Sequence, residues 1–157
     1  MVYICRMAME TSGDDFFMKQ ALREAQAAYE ENEVPVGAVV VCNDRIIARS
    51  HNLTERLTDV TAHAEMQVIT AAADFLGGKY LNQCTLYVSL EPCPMCASAL
   101  GWAQLKRLVF GAYDDRKGYS LLSENLLHPK TEVLGGVMGD DSAELLRRFF
   151  QERRKKS

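Results

Sequence analysis

Four side chains in this sequence have types and spacing suited to shared chemistry. His63 and Glu65 lie in Thr61-Ala62-His63-Ala64-Glu65, and Cys93 and Cys96 lie about thirty residues on, in Glu91-Pro92-Cys93-Pro94-Met95-Cys96. One imidazole and two thiols make the borderline-soft nitrogen and sulfur set that suits Zn²⁺, and three protein ligands leave one tetrahedral position for water. An ion so held lowers the pKa of its water to ~7, and a carboxylate two residues from the histidine is placed to move the protons. Residues i and i+2 do not share a face of a regular helix. His63 and Glu65 therefore serve one site only if a helix begins at them.

Other uses of Cys-x-x-Cys fit less well. A redox pair gains from nearby positive charge that lowers a thiol pKa, and Pro94 and Met95 bring none. A structural zinc site closes with four protein ligands. The remaining donors, Cys5, Cys42, Cys84, His51 and His128, have no paired spacing with the others. The pattern points to a catalytic metal site.

Such a site needs elements that bring two distant segments together. Ser12 and Asp15 form a capping-box pattern, after which Met18, Leu22, Ala25 and Tyr29 recur on one helical face that ends near Asn32, with Pro35 beyond. Val36 to Val41 and Arg45 to Ser50 read as a hairpin around Asn43-Asp44. A second helix is predicted from Ala62 to Phe75, with Met66, Ile69 and Ala73 inward and Gly77-Gly78 as its stop. Thr85 to Leu90 is a strand leading directly into Glu91-Pro92. Pro94 suits the first turn of a third helix, which puts Cys93 and Cys96 on one face and leaves Trp102 and Leu105 to close it on the sheet. Arg107 to Ala112 is a fourth strand and Thr131 to Val137 a fifth, and a last helix from about Asp140 carries Leu145, Leu146, Phe149 and Phe150. This order implies an α/β layer structure with a mixed sheet between helices. Residues 1–13 read as a loose extension, and residues 14–157 as one domain.

Composition agrees with that size. The 157 residues suffice for one domain with a real core, and 48% hydrophobic with 25% charged content is ordinary for a globular protein. No apolar run approaches the ~20 residues of a membrane span. Met-Val-Tyr-Ile-Cys-Arg has no secretory character, and five cysteines suit a reducing cytoplasm. The net charge of −3 conceals a basic end, where Arg147, Arg148, Arg153, Arg154, Lys155 and Lys156 face only Glu152. That end suits either a phosphate backbone or plain solvation of a helix C-terminus.

Thr61-Ala-His-Ala-Glu65 with Leu90-Glu-Pro-Cys-Pro-Met-Cys96 resembles the cytidine-deaminase superfamily of zinc hydrolytic deaminases. Glu33-Val-Pro-Val-Gly-Ala38, Val109-Phe-Gly-Ala112, His128-Pro129 and Leu145-Leu146-x-x-Phe149-Phe150 extend the likeness to bacterial tRNA-specific adenosine deaminases. The resemblance implies a three-layer α/β/α fold with a central mixed five-stranded sheet, with zinc on His63, Cys93 and Cys96. It implies Glu65 as proton shuttle and Asn52, Ala64, Pro92 and Phe149 as substrate contacts. The implied partner is a tRNA anticodon loop, whose wobble adenosine becomes inosine in a cytoplasmic homodimer. The shortened segment after Pro129 and the Tyr119-Ser120-Leu121-Leu122 stretch depart from the family pattern. Cys93-Pro-Met-Cys96 with Trp102 also resembles guanine deaminase, which leaves a free purine as the alternative substrate. A zinc-stabilised RNA-binding module without catalysis is a third reading.

Overall fold

The computed structural model describes residues 2–157, with side chains from Gly13 onward. The hairpin forms where the turn residues allow it. β1 (Gly37–Cys42) and β2 (Arg45–His51) pair antiparallel across Asn43 and Asp44. Those two residues have φ of 52° and 59°, the left-handed pair that lets a two-residue turn follow the strand twist. β3 (Cys84–Leu90) pairs antiparallel with β1 and parallel with β4 (Arg107–Ala112), and β4 pairs parallel with β5 (Glu132–Leu134). The sheet is thus mixed and five-stranded, in the order β2-β1-β3-β4-β5.

Both faces of β1 and β3 are buried, which explains their nearly continuous apolar sequence. α1 (Val2–Glu30) covers one face, seating Met18 and Ala21 against Val39, Val41, Tyr87 and Val109. Close approach is possible because Gly37 has no side chain. A Cβ there would collide with the Ala21 carbonyl oxygen and the Ala25 amide nitrogen. α2 (Ala64–Leu76) and α3 (Pro94–Trp102) cover the other face, packing Val68, Ala72, Ala97 and Leu100 onto Val40, Leu86, Val88 and Leu108. α3 is the crossover between the parallel strands β3 and β4, a connection too long for a tight turn. α4 (Gly139–Lys156) packs beside β4 and β3 and meets α1 through Phe149 and Tyr29. The result is the expected three-layer α/β/α architecture.

Several expectations are corrected. α1 is helical from Val2, ahead of the capping pattern at Ser12. Met1 and the side chains before Gly13, including the Cys5 thiol, lie outside the described residues. α2 begins at Ala64, two residues later than expected, and its fully buried face is Ala64, Glu65, Val68 and Ala72. Met66, Ile69 and Ala73 are only half-buried, with Ile69 still packed against the core. Gly77 does stop the helix, in the left-handed conformation. Trp102 is 85% exposed, since α3 ends there and Leu100, Ala103 and Leu105 fill the core beneath it. β5 is shortened to three residues, and the chain leaves it through Gly135 and the left-handed Gly136.

Candidate active site

Two helices starting side by side assemble the centre. His63 is the N-cap of α2 and Cys93 the N-cap of α3, both with extended backbone, and neither side chain caps its own helix. That leaves the imidazole and thiol free to face one another, with open first-turn amides and positive helix ends nearby. Pro94 occupies the first turn of α3, where no N–H is missed. Cys96, one turn along and fully buried, completes the group.

His63 Nδ1 lies 3.7 Å from Cys93 Sγ and 3.5 Å from Cys96 Sγ, and the three donor atoms are all within 4.8 Å of one another. Among the described residues no fourth His, Cys, Asp or Glu joins this group. The Cys96 thiol beside Cys93 holds its pKa down at about 4, with burial opposing and His63 assisting. Cys96 is pushed up by the adjacent Cys93, by burial and by the Glu65 carboxyl. A ready thiolate, an imidazole and a second thiol converging on one point fit a single zinc ion.

Glu65 is the second residue of α2, which places it on the centre's side of the helix start, as the His-x-Glu spacing requires. It is 4% exposed, and the Cys96 thiol donates to its Oε2 at 3.6 Å. Burial pushes its pKa up to about 7, against the pull of its own backbone N–H and of His63. Both Glu65 and His63 open into a cavity of about 820 Å³.

Not every expected contact faces that cavity. Asn52 lines it at 5% exposure, with Nδ2 donating to Thr54 Oγ1 at 3.3 Å, and Ala64 lines it from the first turn of α2. Pro92 does not line it. It is buried, and its carbonyl accepts the Tyr119 N–H at 3.0 Å, so it serves the loop behind the centre. Phe149 does not line it either. It is 4% exposed, with its ring 5.8 Å from Tyr29, because it faces α1. The next residue, Phe150, stands in the cavity wall instead.

Arg116, Lys117 and Arg147 also reach the wall. In sequence Asp114 to Gly118 reads as a charged turn, and no local signal separates a turn over a cavity from one over open water. Glu91 is 2% exposed and accepts the Ser120 hydroxyl at 2.9 and 3.3 Å, which ties the departing Tyr119-Ser120 stretch to the strand leading into Cys93.

Comparison with known proteins agrees with this geometry. Residues 11–112 match the family described as the cytidine and deoxycytidylate deaminase zinc-binding region. A tRNA-specific adenosine deaminase of Bacillus subtilis is 47% identical over 148 residues, covering 91% of this chain and 92% of the relative. A solved structure from work on A-to-I editing by tRNA:A34 deaminases at the wobble position superposes with a TM-score of 0.79 at 46% identity. It covers 83% of this chain and 99% of its own. A guanine deaminase structure from Bacillus subtilis superposes less completely, with a TM-score of 0.60 at 39% identity, covering 62% of this chain and 63% of that one. A donor triad open on one side, a buried carboxyl beside it and these likenesses converge: the chain belongs to the cytidine and deoxycytidylate deaminase family of zinc-binding deaminases, within the group of tRNA-specific adenosine deaminases.

Proposed function

We propose that this protein hydrolyses the wobble adenosine of a tRNA anticodon to inosine, with Glu65 as its catalytic residue. The observation that carries the reading is the Glu65 carboxyl, buried between the donor triad and the cavity and within 3.6 Å of Cys96 Sγ. Zinc held by His63, Cys93 and Cys96 supplies the Lewis acidity that makes water nucleophilic at neutral pH. Glu65 collects a proton from the water that attacks C6 and delivers protons to ring N1 and to the departing amino group. Adenosine and water become inosine and ammonia. Asn52 offers an amide at the cavity wall for the base edge, and Ala64 supplies backbone in the same wall. Arg116, Lys117 and Arg147 favour a polyanionic substrate around the flipped base.

The same reading takes residues 14–157 as one deaminase domain in a cytoplasmic homodimer. One continuous sheet supports the single domain. Support for pairing comes from apolar side chains left in solvent, Trp102 and Val60 at 85%, Leu121 at 58% and Leu57 at 51%. Among the described residues no helix is long and apolar enough to cross a membrane.

The test offers an anticodon stem-loop and free guanine side by side to the zinc-loaded protein and follows ammonia and inosine. Turnover of the RNA is expected, abolished in Glu65→Gln with zinc content unchanged. Turnover of guanine alone would give the site to a free purine. RNA binding unchanged by Glu65→Gln, with no ammonia from either protein, would leave only a zinc-stabilised binding module.

A further inference from the structure

The wall of the cavity that carries Asn52 belongs to the segment between β2 and α2, residues 52–63, and that segment has little apolar seating of its own. Residues 55–61 are exposed, with Leu57 and Val60 turned to solvent. It is held by polar backbone ties: Asn52 N–H to the Val36 carbonyl at 3.0 Å, Leu53 N–H to Ala62 O at 3.0 Å, and Asp59 N–H to Thr54 O at 3.0 Å. One side chain from outside joins them. Glu33, between α1 and β1, is 1% exposed. Its Oε1 accepts the Glu55 N–H and its Oε2 the Arg56 N–H, each at 2.9 Å.

This is an unusual place for a carboxylate. Among the described residues no Lys, Arg or His forms an ion pair with Glu33, so two peptide amides take up its charge. Burying a charge without a counter-ion costs stability, and an apolar residue there would avoid that cost. What a carboxylate alone provides is a fork that accepts two successive amides and so fixes the peptide between them. That peptide follows Thr54, whose hydroxyl accepts from Asn52. The line Glu33 to Glu55-Arg56 to Thr54 to Asn52 runs from a rigid strand entry to the group facing the base.

We infer that Glu33 is a positioning residue for substrate recognition, setting Asn52 and Thr54 at the cavity wall through the amides of Glu55 and Arg56. This rests on the deaminase reading of the cavity. A contact made equally to bound substrate and transition state changes KM and leaves kcat alone. Glu33 touches neither the donor triad nor Glu65, so its loss belongs to that class.

The experiment compares zinc-loaded wild type, Glu33→Gln and Glu33→Asp on whichever substrate the wild type turns over, with amide exchange at residues 55 and 56 read separately. Glu33→Gln keeps the shape but sets an NH₂ against one amide. It is expected to raise KM about tenfold, the loss of roughly one charge-assisted bond, with kcat within about twofold and zinc content unchanged. Glu33→Asp keeps both acceptors on a shorter arm and is expected to recover part of the KM and part of the amide protection. A fall in kcat at constant KM, or fast exchange at residues 55 and 56 with both constants unmoved, would overturn the inference. Activity of the wild type on guanine and not on RNA would refute the substrate reading, while the KM comparison could still be made on guanine.

Discussion

Asp14 ties α1 to the sheet at the end remote from the cavity, and its removal gives a prediction whose size follows from the contacts. Arg107 donates to Asp14 through Nη1 at 2.7 Å and Nη2 at 2.8 Å, a two-pronged ion pair whose side chains are 27% and 19% exposed, Arg107 first. The Tyr87 hydroxyl donates to the same carboxylate at 2.7 Å, and Tyr87 itself is 4% exposed. Asp14→Ala removes the fork, worth ~1.5–3 kcal/mol for charged hydrogen bonds, with solvent screening favouring the low end. It also strands a buried hydroxyl at a cost of roughly 1–3 kcal/mol. The sum is about 3 kcal/mol, or a fall in Tm of about 6–12 °C for a domain of this size. Urea unfolding of the zinc-loaded protein measures it through the midpoint, with the slope unchanged. Asp14→Asn keeps an acceptor for Tyr87 and is expected to lose about half as much. Arg107 starts β4 while the cavity lies at the strand's other end, so kcat is expected to stay at the wild-type value. A loss for Asp14→Ala under ~0.5 kcal/mol would refute the reasoning, reducing the contact to an exposed surface pair. The Arg107 hydrogen bonds hold the Asp14 carboxyl below its ordinary pKa, although burial opposes them. Its contribution is therefore present above about pH 3.9 and disappears as pH falls through the lower folded value.

Three further outcomes are expected. Gly37→Ala should destabilise by at least ~3 kcal/mol in thermal unfolding, because the new methyl meets α1 backbone that has no rotamer in which to retreat. Chelation of zinc should lower Tm by roughly 5–10 °C, reversed on re-addition, since the ligands join the starts of α2 and α3 and only the folded chain presents them together. His51 sits between Glu24 and Glu31, at 2.9 and 3.0 Å. Burial pulls its pKa down, but the two carboxylates outweigh burial and leave it raised. Its stabilising share is then complete below about pH 6.5 and lost as pH rises through the folded value, and His51→Gln should flatten that limb of the Tm–pH curve.

The centre was readable because its parts are local. Cys93 and Cys96 are one helical turn apart, and the two-residue step from His63 to Glu65 works only at a helix start, where both are found. The hairpin was readable for the same reason, from two short strands flanking Asn43-Asp44. The walls of the cavity were not, because they are decided between elements. Phe149 and Phe150 both fit the apolar stripe of α4, and the packing of α4 on Tyr29 sends one into the core and the other to the cavity wall. Trp102 has every compositional mark of a core residue, but α3 stops on it. Glu33 looks like a polar residue in a connection, and only the return of the chain at Glu55 and Arg56 gives its carboxylate a purpose.

An open sheet has two margins at which a foreign strand can add, and in this fold both are guarded. β2 presents Arg45 and Arg49 to solvent, and its ladder with β1 is interrupted where the register shifts between Val40 and Val41. At the far side β5 offers only three residues, led by Glu132, before two glycines turn the chain away. Charge, a broken ladder and brevity are each poor templates for strand recruitment. Concentrated preparations of the folded protein should therefore resist fibrillar growth even though Val133 and Leu134 stand half in water.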